Sequence, residues 1–121
     1  MFSNASPLGM IKRTVFPSVL LLSMSSALAS PALAGDLTAG KIKAEAVCQT
    51  CHGLDGRATV PMAAHLSGQQ KQYLVIQMRA YRSGQRRHEQ MDIVAKTLSD
   101  SDIENLAEWY SAIKVTVEMP R

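Results

Sequence analysis

Apolar residues recur at helical spacing in three stretches of the chain, and nowhere do they alternate with polar ones in the period of two that a strand requires. The clearest is the last: Ile103, Leu106, Ala107, Tyr110 and Ile113 fall on one face, behind a Ser99 to Asp102 capping-box pattern in which Leu98 can staple onto Ile103. A second helix is predicted from about Gln70 to Ser83, stopped by Gly84, where a left-handed C-terminal cap needs glycine. A first is predicted from about Thr38 to Val47. The fold class is therefore all-α, with about three main helices.

The opening stretch has a different pattern. Lys12 and Arg13 precede a mostly apolar run from Val15 to Leu28, and Ala32-Leu33-Ala34 supplies the small residues of a cleavage site. Residues 1–34 read as a cleaved export signal and 35–121 as the single domain, with a rival cleavage site after Ala29. Pro17 and serines such as Ser18, Ser23 and Ser25 interrupt the apolar run, which argues against a membrane-spanning anchor of about 20 apolar residues. Export implies the periplasm, an oxidising compartment for Cys48 and Cys51.

Cleavage changes the composition. The domain keeps 11 basic residues against 10 acidic ones, so the basic character of the whole chain weakens to a charge of +1. With no Lys/Arg-rich arm and no aromatic-interleaved basic run, nucleic acid is not an expected partner. Both phenylalanines, Phe2 and Phe16, leave with the signal, and Tyr73, Tyr81, Trp109 and Tyr110 are the large aromatic side chains that remain. A core so thin in a domain this small calls for a further staple. A Cys48–Cys51 disulfide would close too short a loop to serve.

Cys48-Gln49-Thr50-Cys51-His52 meets that need, because it is the attachment signature of c-type haem. Two thiols three residues apart can each add to one vinyl group of a single porphyrin, and the histidine after the second lies under the iron. A thioredoxin-like pair would want a strand before it, whereas a helical segment precedes this one. A zinc site would need two further ligands, and of the histidines only His65 and His88 are left.

The chain resembles the class I cytochromes c of the small, bacterial, exported, monohaem kind. The resemblance rests on Ala39-Gly40-Lys41, Cys48 to Gly53, Leu66-Ser67-Gly68-Gln69 with Tyr73-Leu74, Gln77 to Arg86 around Ser83-Gly84, and Met91 to Tyr110. It implies a small cytochrome c fold wrapped around one covalently bound haem c, in which the first and last helices cross with Gly40 and Ala44 facing Leu106 and Trp109. It also implies His52 and a sulfur ligand as the axial pair. Met62 follows Pro61 too closely after His52, Met78 stands where the family has an apolar core residue, and Met119 lies in the tail. Met91 matches the family's ligand position, with His88 as the rival because imidazole is the other common axial ligand. Twelve residues after the histidine the family has a proline whose carbonyl holds the ring. This chain has Ala64 there, which leaves open whether its carbonyl takes over.

The implied function is a one-electron carrier between periplasmic or membrane redox partner proteins, as a monomer or weak dimer and not an enzyme. The alternative is the haem subunit of a larger exported oxidoreductase. No nucleophile with its base, carboxylate pair or phosphate loop suggests other chemistry. Lys71, Arg79, Arg82, Arg86 and Arg87 form an acid-free stretch, while Asp100, Asp102, Glu104 and Glu108 crowd the last helix. This charge separation admits two readings: a solvated face, with Arg86 available to a haem propionate, or a surface that steers an acidic redox partner.

Overall fold

A computed structural model describes residues 34–121, and the expected signal segment, apart from Ala34, lies outside the described residues. Among the described residues there are five helices and no strand: α1 (Leu37–Val47), α2 (Gln49–His52), α3 (Lys71–Ser83), α4 (Glu89–Lys96) and α5 (Asp100–Ala112). The three expected helices are α1, α3 and α5. Two shorter helices join these three main ones. The first, α2, is a single turn set off from α1 by a break at Cys48, which caps the end of one and the start of the other. The second, α4, is eight residues long and is capped by His88, a residue type outside the usual N-cap set, so the local start signal is weak.

Each long helix has an identifiable start or stop. Asp36 accepts a hydrogen bond from the Ala39 N–H at 2.8 Å to begin α1. Gly84 ends α3 at φ +80°, in the left-handed region where a Cβ is penalised. Ser99 and Asp102 close the capping box on α5, each accepting from the other's backbone N–H at 3.0 Å.

The principal packing is α1 across α5, with α3 packed on α5 and α4 on α3. The crossing depends on Gly40, where a Cβ would lie 2.1 Å from the Asn105 carbonyl oxygen, so only hydrogen allows the two backbones so close. Ala44, Leu74, Val75, Leu98, Ile103, Leu106, Ala107 and Tyr110 form the buried cluster, which brings the staple pair Leu98 and Ile103 together. Among the described residues, the largest side chains removed almost fully from water are Tyr110, Ile103 and Leu106. The core is as thin as the composition implies.

The charged stretch on α3 is not a free pole. Lys71 pairs with Glu108 at 2.7 Å, Arg79 with Glu104 at 3.1 Å, and Arg82 with Asp100 while also donating to the Leu98 carbonyl. Arg87 pairs with Asp92 at 3.0 Å, and Arg86 donates to Gln77 with its guanidinium over the Tyr81 ring. Folding therefore sets the α3 cations against the α5 acids. For Lys71, Arg79 and Arg82 the separation of charge along the sequence becomes ion pairing across a helix interface, which favours the solvated-face reading over the steering one.

Candidate haem-attachment site

The geometry of the attachment segment follows from one helical turn. The Cys51 and His52 N–H groups both donate to the Cys48 carbonyl, at 3.2 and 3.0 Å, which gathers both thiols and the imidazole around a single turn. Gly53 follows at φ +71°, where a Cβ would lie 2.4 Å from the Arg57 carbonyl oxygen. The chain can thus reverse immediately after His52 only because that residue is glycine. Thr59 ties the returning strand of the loop back, its N–H on the Cys51 carbonyl at 2.9 Å and its hydroxyl on the Thr50 carbonyl at 2.6 Å.

Both cysteines are free thiols and half-buried. Burial pushes the Cys48 thiol up to about 11, partly offset by the Tyr110 hydroxyl and by Lys43, so before attachment this sulfur carries its proton at neutral pH. Burial also raises Tyr110 well above the usual tyrosine value, with Cys48 adding to the shift.

His52 Nδ1 lies 2.8 Å from the Ala64 carbonyl oxygen. A carbonyl can only accept, so Nδ1 carries the proton and Nε2 keeps a lone pair for a metal. The bond that the family makes through proline is made here through alanine, because what it needs is a backbone oxygen at that place in the loop. Hydrogen bonds brace the loop: Leu66 N–H donates to Gly56 O at 2.7 Å and Gly68 N–H to Tyr110 O at 2.9 Å.

Met91 stands on a separate element, in the first turn of α4, half-buried. His88, the rival ligand, is engaged in holding that turn: its Nδ1 faces the Met91 N–H at 3.4 Å, and its own N–H donates to Asp92 at 3.0 Å. Met62 is 94% exposed and Met78 packs against the core cluster. His65 is not a bystander either, since its Nδ1 accepts from the Ala58 N–H at 2.9 Å and shapes the same loop. Sequence reasoning assigned Trp109 and Tyr110 to packing alone. Yet Trp109 Nε1 donates to the Leu54 carbonyl at 3.0 Å and the Tyr110 hydroxyl to the Gly53 carbonyl at 3.1 Å. Neither bond has a local sequence signal, because each spans more than fifty residues.

No family model matches the chain. It is, however, 42% identical over 82 residues to cytochrome c-554(548) of Halomonas halodenitrificans, an alignment covering 65% of this chain and 98% of that protein. The chain belongs to the class I c-type cytochromes. It is also 40% identical over 86 residues to cytochrome c4 of Pseudomonas aeruginosa, covering 71% of this chain and 42% of that one. The structure of reduced cytochrome c4 from Pseudomonas stutzeri superposes with a TM-score of 0.63 at 35% identity, over 69% of this chain and 48% of that one. A thiosulfate dehydrogenase from Marichromatium purpuratum matches with a TM-score of 0.61 at 32% identity, over 65% of this chain and 19% of that one. This cytochrome thus spans less than half the length of the cytochromes c4 it resembles.

A c-type cytochrome carries haem c, and the residues in this one fit the group. Two free thiols lie at the required spacing, and an imidazole whose Nδ1 is already satisfied leaves Nε2 as the donor atom.

Proposed function

We propose that the chain is a one-electron carrier, holding one haem c through thioethers to Cys48 and Cys51 and through His52 and Met91 as axial ligands. The observation that supports the reading is the Ala64 carbonyl on His52 Nδ1, which leaves the Nε2 lone pair available to a metal in the same turn that carries both thiols. Haem bound there supplies a single-electron couple at its iron. Cys48 and Cys51 fix the group against rotation, and His52 is held in one tautomer and one orientation. Thioether sulfur from Met91 favours the reduced form and so raises the potential. With His52 and Met91 both holding the iron, no coordination site would be offered to a substrate, which supports a carrier.

Redox proteins are the expected partners, and export to the periplasm through residues 1–34 is part of the proposal. Among the described residues no helix is long and apolar enough to cross a membrane, which is compatible with it. A second reading is that the chain serves as the haem subunit of a larger oxidoreductase; it is favoured by the likeness to a thiosulfate dehydrogenase.

The test is to produce the protein with a haem-attachment system and titrate it potentiometrically. The expected result is haem that stays with the polypeptide after denaturation and acid extraction, one single-electron wave, and no carbon monoxide binding by the reduced form. Extractable haem or ready carbon monoxide binding overturns the reading. Copurification of a stoichiometric catalytic chain from the source cell decides for the second.

A further inference from the structure

Tyr110 touches both arms of the chain that hold His52. Its hydroxyl donates to the carbonyl of Gly53, the residue immediately after the histidine, at 3.1 Å. Its own backbone carbonyl accepts from the Gly68 N–H at 2.9 Å, at the far end of the loop whose Ala64 carbonyl orients the imidazole. The side chain is 2% exposed, so both bonds are sheltered from competing water. One helix position thus fastens the backbone of the ligand and the loop that holds its ring.

The neighbouring residue repeats the device. Trp109 Nε1 donates to the Leu54 carbonyl at 3.0 Å, so two consecutive aromatic residues of α5 take two consecutive carbonyls just beyond the ligand. The helix that carries them is itself anchored by the Ser99 capping box, the Gly40 crossing and the Lys71–Glu108 pair.

We propose that Tyr110, assisted by Trp109, is a positioning residue for the axial histidine: through Gly53 and the Gly68 end of the Ala64 loop it sets how His52 is presented to the iron, and hence the potential. The inference rests on the proposal that His52 ligates the iron.

Tyr110→Phe in the haem-loaded protein keeps the ring and removes only the hydroxyl. The expected result is a redistribution of the paramagnetically shifted haem-methyl proton resonances of the ferric protein, which report imidazole orientation, together with a shifted midpoint potential. Trp109→Phe, which keeps most of the packing, is expected to move both readouts less, and it stands in if the Tyr110 variant fails to load haem. Ser99→Ala loosens α5 without touching either carbonyl; it should lower Tm while leaving the methyl pattern alone. If the Phe variants lower Tm but keep the wild-type methyl pattern and potential, their role is structural and the inference is overturned. His52→Ala separates the two levels: an unchanged axial spectrum there overturns the ligand assignment itself, whereas a changed one alongside silent Phe variants overturns only the clamp.

Discussion

The imidazole of His52 is held by the backbone carbonyl of Ala64, across twelve residues of loop and at 2.8 Å. Because the acceptor is a main-chain oxygen, the side chain at position 64 matters only through the backbone it permits. Ala64→Ser should leave the potential as it is. Ala64→Gly gives the unfolded loop more freedom and should cost about 0.5 to 1 kcal/mol of stability. Potentiometry and thermal melts of the two variants check this, and a large potential change in the serine variant would count against a purely backbone role.

Met91 is expected to be the second axial ligand, and the three methionines among residues 62, 78 and 91 make the test internal. Met91→Ala should lower the potential, abolish the long-wavelength band of a methionine-to-ferric bond and admit cyanide or carbon monoxide. Met62→Ala removes a side chain that is 94% exposed and should change stability by less than about 0.5 kcal/mol. Met78→Leu conserves volume against the core and should cost less than about 1.5 kcal/mol. A Met91 variant with an unaltered spectrum assigns the sulfur elsewhere.

Gly40→Ala tests the helix crossing. The added methyl would sit 2.1 Å from the Asn105 carbonyl oxygen, so α1 and α5 must move apart along their whole contact. A loss of about 3 kcal/mol, at the upper end for overpacking, is expected in denaturant melts. An unchanged midpoint would mean that the crossing tolerates separation.

Acid should weaken the start of α5. The Asp100 carboxyl is held below the usual carboxylate range by the hydrogen bond and charge of Arg82. Burial opposes ionisation of Asp102, but hydrogen bonds from Ser99 and the contact with Lys43 outweigh it and lower that carboxyl too. For groups whose folded pKa is depressed, the stabilisation is present above the unfolded value and is lost as pH falls through the folded one. Melts from neutral pH downward should therefore show stability declining on the acid side of the carboxylate range, with a shallower decline in Asp100→Asn. Identical slopes would remove Asp100 from the account.

Reversing Arg79 and Arg82 to Glu should act on the fold before it acts on any partner. Both cations face acids of α5, so reversal replaces attraction by repulsion at two solvent-accessible pairs and should lower Tm slightly. A variant that retains its Tm while its electron-transfer rate with an acidic redox partner falls at low salt would mean that the cations act on partners rather than on the fold.

The attachment turn, the three long helices and the capping box were legible because each is written locally. Cys48, Cys51 and His52 carry their chemistry in five consecutive residues, Gly84 stops a helix by its own conformational freedom, and Ser99 with Asp102 marks a start three residues wide. The α4 helix was not, since a histidine cap and eight residues give little periodicity to read. From sequence, His65 and His88 stood out only as possible metal ligands. Their work, on Ala58 and on the first turn of α4, is done by backbone bonds that no residue pattern announces.

What the sequence by itself determined was the attachment motif, two thiols and an imidazole within five residues, while Met91 as the second ligand is a proposal drawn from the resemblance. Tertiary structure alone decided how those groups are held and what the charges do. The Ala64 carbonyl reaches His52, Tyr110 and Trp109 reach Gly53 and Leu54, and the α3 cations meet the α5 acids, all because α5 packs against both α1 and α3. A pattern along the chain records propensity and period. Bonds between segments tens of residues apart depend on where packing brings them, and in this small domain a hydrogen in place of a methyl at Gly40 is what lets α1 and α5 close.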